Sequence, residues 1–124
     1  MFANAVIVFL GGAFGSLSRF FITEAMPIHR WGIPFTIMLV NFAGCFIMGF
    51  IDSLTDGSMA GDRMKHFAVV GFLGGFTTFS SFSLEFGNLA KAGSFLNSFM
   101  YLILSVFTGL AGFFAGYMLA KVFK

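Results

Sequence analysis

One run of the chain, Gly71-Phe-Leu-Gly-Gly-Phe-Thr-Thr-Phe-Ser-Ser-Phe-Ser83, sets five hydroxyls among glycines and phenylalanines. Adjacent Gly74 and Gly75 each cost a helix about 1 kcal/mol relative to alanine. The threonine and serine hydroxyls that follow compete for backbone hydrogen bonds. One reading is a helix broken near Thr77, whose freed carbonyls can hold a cation. The other is an intact helix carrying a small-residue packing seam. Phe79 and Phe82 project from one helical face. In a chain with 21 phenylalanines they are filler, or else their positive ring edges aim into a narrow path for a small anion. Farther along, Asn97, Tyr101, Ser105 and Thr108 recur at helical spacing and form one polar stripe, to which Asn41 adds an amide from another segment. All five can donate hydrogen bonds and no carboxylate joins them, so a path that they line suits an anion better than a proton or a metal cation. The plain alternative is interhelical hydrogen-bond glue, worth under about 2 kcal/mol per contact. Arg19 either snorkels to the membrane surface or lends positive potential to the mouth of a path, with Glu85 at the same edge as a pairing partner. Glu24, Asp52, Asp56 and Asp62 read as solvated surface, and Cys45 as a small packing residue. No Ser–His–Asp, Cys–His, phosphate-loop or metal-ligand spacing is present.

These residues need elements to hold them, and charge defines those elements. Only 10% of the 124 residues are charged, against about 25% in a soluble domain. Met1–Ser18, Trp31–Ile51, His66–Leu84 and Ala92–Ala120 carry no charged side chain, giving runs of 18, 21, 19 and 29 residues. A bilayer core needs about 20 helical residues. The chain therefore reads as an all-α membrane protein, a single domain over 1–124 with spans near 3–22, 33–51, 66–86 and 95–120. Thr77 falls about 16 Å into the third span and Asn41 about 12 Å into the second, both near mid-membrane at 1.5 Å per residue. Pro34 suits the first turn of the second helix, and Trp31 a membrane interface. The first span, with no Lys or Arg ahead of it, is expected to stay uncleaved. A net charge of +2 without a basic run makes nucleic acid an implausible partner.

Two further patterns bear on assembly. Gly11-x-x-x-Gly15, Gly71-x-x-x-Gly75 and Gly112-x-x-x-Gly116 have the spacing that lets helices approach closely, and a homodimer is the economical expectation. Arg63, Lys65, Lys121 and Lys124 lie on one side of the membrane, Arg19, Arg30 and Lys91 on the other. Four against three is hardly a bias under the positive-inside rule. Insertion in both orientations and insertion in one with a weak signal are both open.

The run from Gly71 to Ser83 closely resembles the signature of the CrcB/Fluc fluoride channels. Gly12-x-x-Gly15-x-x-x-Arg19-Phe resembles that family's first-span pattern, and Asn41-x-x-Gly44-Cys45-Phe46-x-x-Gly49 its second. Two departures are Ser81 where threonine is usual and Phe35 where glycine often precedes Thr36. The resemblance implies an antiparallel, dual-topology homodimer with the third helix broken at mid-membrane, two fluoride pores and one central sodium ion. Backbone carbonyls of Gly74 and Thr77 from both subunits would hold the sodium. The ring edges of Phe79 and Phe82 would face fluoride, with Asn41, Ser80, Ser83, Tyr101, Ser105 and Thr108 completing the pore, and Arg19 and Glu85 at the vestibule. It further implies passive fluoride efflux and fluoride resistance across the inner (plasma) membrane, with no enzymatic chemistry. Fluoride holds its water strongly, so a selective path must replace that water with several close donors. The rivals are a small dual-topology drug/proton antiporter, which needs a first-span carboxylate that is missing here, and a non-conducting membrane subunit.

Overall fold

Uncharged runs of this length have one favourable arrangement in a medium without water, which is to satisfy their backbone internally as helices. The computed structural model describes residues 1–55 and 62–124, and of Asp62 the backbone only. Asp56 therefore lies outside the described residues. Helix α1 spans Phe2–Ala25. A two-stranded hairpin follows, β1 (His29–Arg30) against β2 (Ile33–Pro34). Helix α2 spans Phe35–Thr55. The third span runs over Lys65–Lys91. Helix α3 begins just ahead of it, covers residues 62–76 and includes a π-helical stretch, Lys65–Leu73; the second part of the span is α4, Phe79–Lys91. Helix α5 spans Phe95–Lys121. The four spans have 24, 21, 27 and 27 residues, enough to cross a hydrocarbon core of about 30 Å. Phe9, Phe14, Phe20 and Phe21 on α1 and Phe95, Phe99, Phe107 and Phe114 on α5 are exposed. So much outward phenylalanine is a liability in water and a solvated surface in lipid.

The helices pair as α1 with α3 and α2 with α5, and glycine sets both pairings. A Cβ on Gly15 would overlap the Phe72 carbonyl, and one on Gly116 the Phe46 carbonyl. Gly11 and Gly71 meet each other across the α1–α3 contact, and Gly112 lies on Phe42. The three glycine pairs that suggested a seam between two chains are thus occupied within one. The spacing that permits close approach does not say whose helix approaches.

The hairpin is a feature the sequence reading lacked. Trp31 (φ 53°) and Gly32 (φ 76°) both have positive φ, the requirement of a primed two-residue turn. The Thr36 hydroxyl ties the hairpin down, accepting from the Ile28 N–H at 2.8 Å and donating to the Met26 carbonyl at 2.7 Å. Pro34 ends β2 opposite His29 rather than occupying the first helical turn. A small cluster of Ile33, Ile37, Met38, Phe82 and Tyr101 is buried where α2, α4 and α5 converge beneath the hairpin.

Candidate functional site

Helical backbone stops at Phe76 and resumes at Phe79, and the two threonines between are extended: Thr77 has φ −80°, ψ 154° and Thr78 φ −151°, ψ 119°. Extended backbone at this depth must find partners outside its own helix. Asn41 supplies them. Its Oδ1 accepts from the Thr78 N–H at 2.8 Å, and its Nδ2 donates to the Thr78 carbonyl at 3.0 Å. The Thr78 hydroxyl caps α4 by accepting from the Ser81 N–H at 3.1 Å, the usual work of an N-cap threonine. Thr77 turns its hydroxyl back to the Leu73 carbonyl at 2.9 Å. Its methyl lies over Gly44, where a Cβ would overlap it.

The rearrangement diverts donors from specific carbonyls. In an unbroken helix the Gly74 carbonyl would accept from Thr78 and the Thr77 carbonyl from Ser81. Those N–H groups go instead to Asn41 and to the Thr78 hydroxyl. The Gly75 carbonyl, four residues before Phe79, accepts from Arg19 Nε at 3.2 Å and from Ser16 Oγ at 3.5 Å. Arg19 therefore reaches the main chain of the third span, and it forms no ion pair with Glu85 among the described residues.

Beside the extended pair is a cavity of about 380 Å³, walled by Asn41, Thr77, Thr78, Phe79, Phe82 and Ser105, among others, and by no carboxylate. The Phe79 and Phe82 rings are 5.3 Å apart at 41°. Phe82 is buried and its ring lies 5.2 Å from that of Tyr101, whereas Phe79 is 79% exposed. The Tyr101 hydroxyl and Ser105 Oγ, one turn apart on α5, are buried with no hydrogen-bond partner beyond each other among the described residues. An orphaned buried hydroxyl costs about 1–3 kcal/mol.

Other residues of the expected site are elsewhere. Thr108 lines a different cavity and donates to the Leu104 carbonyl at 2.7 Å. Asn97 abuts the hairpin, where a Cβ on Gly32 would stand 2.7 Å from its Nδ2. The stripe on α5 is thus divided among three neighbours. Ser83 donates to the Phe79 carbonyl at 2.9 Å, and Ser80 is exposed beside the Thr78 hydroxyl at 3.1 Å. Glu85 lies half-buried on α4, one and a half turns beyond Phe79 and outside the cavity wall. Sequence reasoning gave Ser16 no role, and gave Gly44 a place in the second-span motif but not its contact with Thr77. Each sits three residues from a residue already singled out, Arg19 and Asn41, and so on the same helical face.

Four long apolar helices with an extended pair and a cavity between them define a small polytopic membrane protein. The chain belongs to the family described as CrcB-like protein, Camphor Resistance (CrcB), whose model matches residues 6–117. It is 36% identical over 122 residues, covering 98% of this chain and 95% of the relative, to a protein of Chlorobium phaeobacteroides (strain BS1) named fluoride-specific ion channel FluC. Proteins of the same name from Gloeothece citriformis (strain PCC 7424) and Helicobacter pylori (strain J99 / ATCC 700824) are 40% and 39% identical over 117 residues. They are covered over 95% and 90% of their lengths, by 94% and 92% of this chain. The family is one of ion channels, not enzymes. The chain is accordingly a multi-pass membrane protein, which in a bacterium resides in the inner membrane.

Proposed function

We propose that this protein is a fluoride-selective ion channel that lets fluoride leave the cell passively and so confers fluoride resistance. The observation that carries the reading is the pair of buried hydroxyls, Tyr101 and Ser105, which have only each other to bond to among the described residues, next to a cavity walled by Phe79 and Phe82 and free of carboxylates. Hydroxyl hydrogens and ring edges offer a small anion partial positive charge at close range without a full cation that would trap it. The second Nδ2 hydrogen of Asn41, left over after its bond to Thr78, is one more donor at the same wall.

The working unit is an antiparallel, dual-topology homodimer with two pores, and the third span of each subunit is broken at Thr77–Thr78. Phe79, exposed at the edge of the cavity on a single chain, is the ring that a second copy would cover. A central sodium ion fits the backbone: Gly74 and Thr77 carbonyls, deprived of their helical donors, are hard oxygen ligands. When bound there, sodium supplies positive charge that holds two such segments together. Asn41 and the Thr78 hydroxyl keep those carbonyls free, and Arg19 and Ser16 fix the neighbouring Gly75 carbonyl.

Purified protein in liposomes is expected to pass fluoride and little chloride when efflux is followed with ion-selective electrodes. Chloride efflux as fast as fluoride efflux would refute selectivity, and no flux of either would favour a non-conducting subunit. Phe79→Ile and Phe82→Ile are each expected to suppress fluoride flux while size-exclusion profile and helix content stay native, because isoleucine fills space without a polarised edge. Near-normal flux in both variants would remove the rings from the path.

A further inference from the structure

The hairpin overhangs a second cavity that none of the residues above explains. It has a volume of about 480 Å³ and shares no lining residue with the first. Its upper wall is Ile28, Arg30 and Trp31 of the hairpin segment, and its floor descends along α2 from Phe35 to Phe42. Those seven residues drop about 10 Å, from the membrane surface toward its interior, as an acyl chain does. The lining is apolar except at two places. The Thr108 hydroxyl is satisfied by its own helix, and Arg30 stands exposed at the outer end with no carboxylate in the wall.

We propose that this groove binds an anionic phospholipid, with the phosphate at Arg30 and one acyl chain along Phe35, Met38, Leu39 and Phe42. The occupant follows from the two ends of the site. A cation at interfacial depth attracts an anionic headgroup, and an apolar channel beneath it has no use for a free anion. The hairpin is also built to stay in place. Trp31 is held at positive φ, packs edge-on to Phe35 at a centroid distance of 6.2 Å, and is 84% exposed at the depth where tryptophan meets headgroups. The site does not depend on the fluoride reading, since its walls and the first cavity's are different residues.

Native mass spectrometry of the detergent-purified protein, given equal phosphatidylglycerol and phosphatidylcholine of identical chains, tests this. The wild type is expected to retain phosphatidylglycerol over phosphatidylcholine by about fivefold, the discrimination one interfacial arginine provides. Arg30→Ala should erase that preference, and Leu39→Trp, which narrows the groove, should lower retention of both lipids. Excess inorganic phosphate should leave the lipid in place. Absence of a preference in the wild type, a preference unchanged in Arg30→Ala, or displacement by phosphate would each overturn the assignment. So would lipid retained only on monomers, because that result gives the groove to a second copy of the chain.

Discussion

Asn41→Leu is expected to abolish fluoride flux and to lower the stability of the fold by about 2–6 kcal/mol, the loss for two orphaned backbone groups at about 1–3 kcal/mol each. Leucine keeps the branched skeleton of asparagine, somewhat enlarged, but removes both the acceptor for the Thr78 N–H and the donor to the Thr78 carbonyl. Thr78 is buried, so water does not replace them. Asn41→Gln retains both acceptor and donor on a longer stem that misaligns them, and should melt between wild type and Asn41→Leu. Thermal unfolding in detergent and liposome flux on the same preparations check both points. An Asn41→Leu protein with unchanged melting and flux would show that the extended pair holds itself. Flux lost at unchanged stability would return Asn41 to the simpler role of pore donor.

That choice was not available from sequence. The number of spans was legible because bilayer thickness and the cost of burying charge act on long uncharged runs, and nothing about neighbours is needed to count them. Depth was legible for the same reason, which is how Thr77 and Asn41 could be placed near one level before any contact was known. What a side chain does at that depth depends on which helix stands opposite. Asn41 looked like an anion donor and is largely engaged in holding Thr78. Arg19 looked like a surface cation and reaches the Gly75 carbonyl. The stripe from Asn97 to Thr108 is real as a spacing, yet its members divide among the hairpin, the first cavity with its Phe82 ring, and the second cavity. The hairpin was invisible because a two-residue turn with Trp31 at positive φ carries none of the asparagine that usually marks such a turn.

The glycine contacts give the other large effect. Gly49→Val and Gly116→Val are expected to prevent recovery of folded protein, because even a Cβ at these positions would overlap the carbonyls of Phe113 and Phe46 across the α2–α5 contact. Overpacking typically costs about 1–3 kcal/mol where side chains can adjust, and here the obstacle is main chain. Gly116→Ala should therefore already lower the melting temperature in detergent. Gly87→Ala is the control: a Cβ there meets nothing within 4 Å, and replacing a helical glycine gains up to about 1 kcal/mol. Circular dichroism melts and size-exclusion profiles read the contrast. The same variants separate packing within a chain from packing between chains. Were Gly116 at a seam between copies, its alanine variant would yield well-folded monomers that melt like the wild-type chain. Were it inside the α2–α5 pair, as the Phe46 contact requires, folding itself would suffer before assembly had begun.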